Sequence, residues 1–205
     1  MNIINLLVTF GLLMVAMSVH EFSHGWVAYK LGDNTAKYSG RLTLNPLAHI
    51  DPIGTILLPL FLFMATHGQF VFGAAKPVPI NYMALRNPKS DMAWIGISGP
   101  LANLVFAAIL SLTLRFLPLS GVFIFIIKNL IVINVILGIF NLVPIPPLDG
   151  SRVLMGILPR RASYRYSQIE PYGFIIVMAL VLLGLLDIVI WPMVNLVLRF
   201  LLPYF

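Results

Sequence analysis

The sequence predicts an all-α polytopic membrane protein of four to five transmembrane helices. A re-entrant segment and a small β-like hairpin are expected between the first and second full spans. Three observations lead there. Of the 205 residues, 60% are hydrophobic and 10% charged, whereas soluble domains run near half and a quarter; mean hydropathy is +0.96. The apolar residues gather in a few long runs. The basic residues sit mostly in the short connections between them, where topology-setting Lys and Arg belong. Disorder, collagen-like repeats and coiled coil are excluded by the same composition. With no cysteine there is no disulfide framework, and a metal would have to use nitrogen and oxygen ligands. The net charge of +6, spread over loops in this way, speaks against nucleic acid as a partner. No Lys or Arg precedes Lys30, so the N-terminal run lacks the charged start of a cleavable signal peptide.

Five runs follow in order. Run A covers Ile3 to Val19 and continues helically to about Leu31; run B is Ile53 to Ala65; run C is Met92 to Leu114; run D is Val122 to Phe140; run E is Phe174 to Ile190, interrupted by Trp191-Pro192. Crossing the hydrocarbon takes about 20 helical residues, so A, C, D and E qualify. Run B has 13 residues, too few to cross, with Pro52 just before it and Pro59 within it, and reads as re-entrant or interfacial. Beyond Pro192 the chain is too short to span again, so 172–202 is one span or a span plus an interfacial helix. Between A and C, Tyr38 to Leu44 and Gln69 to Phe72 carry a modest strand signal. Open strand edges cannot face lipid, so these stretches must pair, line a cavity or lie at the surface. Gly40 to Leu44 could also capture an extended peptide by strand addition.

Ionisable residues inside an apolar run are expensive and mark function by default. Run A ends in His20-Glu21-Phe22-Ser23-His24. Positions four apart share one helical face, so His20 and His24 can grip a single Zn²⁺, with Glu21 beside them to take a proton from water. In a chain with 4 His this pattern arises by chance on the order of once in a thousand such sequences. Two polar residues bonded between helices, or snorkelling to the interface, are the plainer alternative. A catalytic zinc usually keeps three protein ligands. After run D the chain reads Asn141-Leu-Val-Pro144-Ile-Pro146-Pro147-Leu148-Asp149-Gly150, where prolines force extended backbone. Asp149 is there either a third ligand or a helix cap, with Gly150 giving conformational freedom behind it.

These two motifs, with Gly99-Pro100-Leu101-Ala102-Asn103 in run C, resemble the site-2 protease family of intramembrane zinc metalloproteases. The likeness covers Ile3 to Gly150. It implies a single intramembrane metalloprotease domain over residues 1–205, a short form without PDZ or CBS modules. By the resemblance, His20, His24 and Asp149 are zinc ligands, one ion per chain. Glu21 is implied as the general base, and Asn141 as a residue that helps hold substrate or the oxyanion. The implied substrate is the transmembrane segment of another membrane protein. A non-enzymatic metal or proton transporter, or an inactive relative that binds membrane partners, would also place His and Asp in a span.

For A and D to share a metal, both must end on one face, and C must start there. Ten basic residues, among them Lys30, Lys76, Arg86, Lys89, Arg152 and Arg160, then fall on the ligand side. Arg115 and Arg199 fall on the other, so the ligand side is expected to be cytoplasmic in a multi-pass protein of the cell membrane. His49 and Asp51 read as a gate or a capped turn, Asp91 as a cap for helix C, and Asn103 as a partner of the Asp149 loop or a tie between helices. Gly96, Gly99 and Ala102 suit close helix packing.

Overall fold

A computed structural model describes residues 3–57, 60, 61, 64, 73 and 75–202, the first four by backbone alone. Among them the architecture is helical, with no strand. Helix α1 runs from Ile3 to Lys30. A short α2, Thr35–Tyr38, follows a turn in which buried Asp33 accepts the Thr35 N–H at 2.9 Å. Helix α3 covers Pro88–Phe116 and α4 Gly121–Asn141. Asp149–Ile157 and Arg160–Ser167 form α5 and α6; α7 is Gly173–Leu182 and α8 is Leu185–Leu201. Helices α1, α3 and α4 are each long and apolar enough to cross a membrane.

Local chemistry sets these limits. Pro88 stands at the start of α3, where its missing N–H costs nothing. Asp91 takes the Asn87 N–H at 2.8 Å, which is the cap expected for run C. Pro118 pushes Leu117 into extended backbone, and α3 ends there. Asn45 caps the 3-10 turn Pro46–His49 through the Leu47 N–H. Asp51 binds the Gly54 N–H at 2.6 Å at the head of a π-helical turn, Pro52–Leu57. His49 and Asp51 therefore serve the capped turn before run B. Ile53, Ile56, Leu60 and Phe61 of that run are exposed.

Two expectations are revised. The first arm of the expected hairpin, Tyr38 to Leu44, is the end of α2 followed by turn and extended chain. The second, Gln69 to Phe72, lies outside the described residues, as does His67. What Arg41 pairs with is the extended segment of residues 75–81, giving an N–H to the Lys76 carbonyl at 2.9 Å. Run E breaks at Gly184, not at Trp191-Pro192. Gly184 has φ of +68°, a left-handed conformation that glycine adopts without steric penalty; the helices on either side bend by 78°. Pro192 lies inside α8, where membrane helices tolerate it.

Helices α1, α3 and α4 pack together, and α8 packs on α4. Their core is Ala107, Ile131, Val135, Ile190 and Val194 with their neighbours. Small residues allow the close approach: a Cβ at Gly138 would lie 3.1 Å from the Pro100 carbonyl. The C-terminus of α8 is tied to that of α3, Ser111 donating to the Leu201 carbonyl at 2.5 Å and Arg115 to that of Phe200 at 2.8 Å. The ends of α1 and α4 and the start of α3 therefore gather at one face, and Arg115 and Arg199 at the other. We expect Gly184→Ala to lower stability by about 1 kcal/mol, against no loss for Gly11→Ala, which has open space around it; thermal unfolding in detergent micelles measures the difference.

Candidate metal centre

His20 and His24 stand one turn apart on α1, each 6% exposed. Their rings are nearly perpendicular, at 86° with centroids 4.6 Å apart, which aims both Nε2 atoms at one point. Asp149 reaches that point from the start of α5: its Oδ2 lies 2.8 Å from His20 Nε2 and 3.2 Å from His24 Nε2. The two Nε2 atoms are 3.0 Å apart. Asp149 makes no capping bond for α5; its carboxylate belongs to the histidines, with the positive end of the helix behind it.

The proton pattern decides what such a cluster can hold. His24 Nδ1 lies 2.7 Å from the Ile95 carbonyl, and His20 Nδ1 lies 2.6 Å from the Asn103 side-chain oxygen. Both partners accept, so each ring carries its hydrogen on Nδ1. Both Nε2 atoms then offer lone pairs to each other and to a carboxylate oxygen. One added proton would satisfy one of these three contacts; a divalent cation satisfies all three. Tetrahedral ligand atoms about 2.0–2.1 Å from zinc stand about 3.3 Å from one another, close to the distances found. These three are the group able to hold a metal among the described residues, and the donor set fits zinc.

The floor of the cluster is Gly99. A Cβ there would come within 2.5 Å of His24 Nε2 and 2.6 Å of His20 Nε2. The residue that suited helix packing in the sequence instead leaves room where the ring nitrogens converge. Gly150, too, is needed for space: it is helical, and a Cβ would run into the Leu142 carbonyl. Pro100 cannot donate to the Gly96 carbonyl, and Gly96 lies against α5, its would-be Cβ 3.0 Å from the Asp149 carbonyl.

A cavity of about 300 Å³ opens over the cluster, lined by Glu21, Asn141, Arg152, Tyr82 and the segment Pro77 to Ile80 among others. Glu21 Oε2 accepts the Val78 N–H at 2.8 Å, leaving the second carboxylate oxygen to the cavity. Asn141 gives one amide hydrogen to the Leu137 carbonyl of its own helix at 3.0 Å; it ties no second helix, and its other hydrogen is uncommitted. Arg152 is paired with Glu170 and stands 5.7 Å from the Tyr82 ring. Burial outweighs that guanidinium and holds the Tyr82 hydroxyl above its ordinary pKa, so it stays protonated at neutral pH. Val78 escapes sequence reading because it acts through its peptide group. Arg152 had a signal, since it follows Asp149 by three helical positions. Gly99→Ala is expected to cut bound zinc at least about tenfold with helix content unchanged, because the methyl takes the space between the ligand nitrogens; metal analysis beside far-UV circular dichroism checks this.

Comparison with known proteins agrees with this geometry. The profile of Peptidase family M50 matches residues 118–184. "Putative zinc metalloprotease YwhC" of Bacillus subtilis (strain 168) is 37% identical over 192 residues, covering 89% of this chain and 84% of the relative. "Putative zinc metalloprotease Rip2" of Mycolicibacterium smegmatis is 34% identical, covering 86% and 67%. "Zinc metalloprotease MJ0392" of Methanocaldococcus jannaschii is 29% identical, covering 77% and 36%. No solved structure matches the chain. The chain belongs to peptidase family M50 and is a site-2-type intramembrane zinc metalloprotease.

Proposed function

We propose that His20, His24 and Asp149 hold the catalytic zinc, that Glu21 is the general base, and that Asn141 binds substrate or the developing oxyanion. The reaction is hydrolysis of a peptide bond within or near the transmembrane segment of a membrane-protein substrate. The observation that carries this is the convergence of three lone-pair donors, each within 3.2 Å of the others, beside a carboxylate. When bound, zinc supplies Lewis acidity to the scissile carbonyl and to the attacking water.

The chain's own residues do the rest. His20 and His24 give their Nδ1 hydrogens to the Asn103 side chain and the Ile95 carbonyl, which turns both Nε2 lone pairs toward the ion. Glu21 receives the proton of the water on its free oxygen and returns it to the leaving amine, while the Val78 N–H keeps the carboxylate from swinging away. The uncommitted amide hydrogen of Asn141 faces the same cavity and can donate to the oxygen of the tetrahedral intermediate.

Residues 1–205 form one protease domain on this reading. Helices α7 and α8 make a fourth crossing, since α7 starts at the metal face, with Gly173 against Pro146, and α8 ends beside Ser111 and Arg115. Basic residues crowd the metal face, so that face is cytoplasmic, the N-terminus is external and the enzyme sits in the cell membrane. The purified protein incubated with single-span peptides tests the chemistry. Glu21→Gln should keep its zinc and lose about 10²–10⁴-fold in cleavage, and Asp149→Ala should lose the metal itself; equal cleavage by Glu21→Gln and the parent removes the proposed base. Tags placed beside Arg160 should be reachable only from the cytoplasm.

A further inference from the structure

The two histidines obtain the same proton pattern by different means. His24 Nδ1 rests on a main-chain carbonyl, Ile95, whose polarity is fixed. His20 Nδ1 rests on the side-chain amide of Asn103, and an amide can turn end for end. With its oxygen toward the ring, Asn103 accepts the Nδ1 hydrogen and leaves Nε2 a lone pair. Turned over, it would present NH₂, make Nδ1 the acceptor and move the ring hydrogen to Nε2, into the cluster. His20 can bind a cation in the first arrangement and not in the second.

The amide is held by a residue of a third helix. Asn103 Nδ2 lies 3.0 Å from the Ala16 carbonyl on α1 and 2.7 Å from the side-chain oxygen of Asn134 on α4. Asn134 is itself oriented by a group of certain polarity, its Nδ2 lying 2.8 Å from the Leu130 carbonyl. The direction of donation therefore runs without ambiguity from His20 to Asn103, from Asn103 to Asn134, and from Asn134 to the backbone. Both asparagines are 0% exposed, so bulk water does not compete for their hydrogen bonds. Reversal of Asn103 would set its oxygen against two acceptors at once in a medium that screens little.

We propose that Asn134 is a positioning residue for the metal: through Asn103 it fixes His20 in the Nδ1–H tautomer and keeps Nε2 open to the cation. It touches neither substrate nor ion. The proposal rests on the assignment of His20 as a zinc ligand. Partners that orient a ligating histidine typically change metal affinity about 10–100-fold when removed.

The test reads zinc affinity of the full chain in detergent by chelator competition, with the visible absorption of the cobalt-substituted protein reporting the ligand set. Asn134→Leu should bind zinc about 10–100-fold more weakly and shift the cobalt bands. Asn134→Asp keeps an acceptor opposite Asn103 and, as the buried protonated acid, a hydrogen for the Leu130 carbonyl, and should stay within about twofold of the parent. In an Asn103→Leu background, adding Asn134→Leu should cost nothing more, because the relay is already cut. Parent-like affinity and cobalt bands in Asn134→Leu, or an equal loss on both backgrounds, would overturn the proposal. Should Asn134→Leu not fold, Asn134→Asp decides alone, a tenfold loss there overturning it. His20→Ala separates the two levels: zinc retained in that variant removes the ligand assignment and the relay with it, whereas zinc lost there with Asn134→Leu unaffected removes the relay only.

Discussion

Three lone pairs pressed together in a low-dielectric interior are tolerable only with a cation among them, and the rest of the structure is arranged around that constraint. The hydrogens of both imidazoles point away from the cluster, to acceptors that lie on α3. Ile95 and Asn103 sit one turn either side of Gly99, which leaves the space between them open. One helix thus provides the backing for both rings and the gap in front of them. Helix α1 brings the rings, α4 and its proline-bearing exit bring the carboxylate, and α3 determines which atoms meet.

The bilayer raises the cost of every polar group used for this purpose. Ser18, His20, His24, Asn103 and Asn134 are buried, and each has a partner of opposite polarity. The bonds of His20, His24 and Asn103 cross from α1 to α3 to α4, so the groups around the cluster also join the three helices. Lipid supplies no competing hydrogen bonds, and small residues such as Gly138 let the backbones come close enough for short side chains to reach.

Much of this was legible in the sequence. His20, His24 and Asp149 stand out because ionisable residues in apolar runs demand an explanation, and the helical repeat places the histidines together. The three long spans follow from run length alone. Other features left weaker marks. Asn103 was visible as a polar residue in run C, but its partner on the histidine, and the part played by Asn134, depend on how three helices rotate against each other. Gly99 was read as packing because space around a side chain has no signature in one chain. At the C-terminal end, Pro192 looked like the stronger breaker, yet the bend falls at Gly184, where a left-handed residue turns the chain and a proline inside the following helix is accommodated. The strand-like letters from Tyr38 to Leu44 instead close α2 and turn at Ser39-Gly40, and only the residues after Gly40 run on outside helix and turn.

The carboxylate of Glu21 is moored differently from the imidazoles beside it. The rings lean on α3, deep among the spans, whereas Glu21 answers to the peptide group of Val78, in a loop segment pinned by His49 and Arg41 at one end and Asp33 at the other. With the roles proposed for these residues, retention of the ion and handling of the proton become separable traits of this fold. A change in the loop can detune turnover while the ion stays in place, so evolution or a small molecule acting on that surface has a throttle that leaves the engine block untouched.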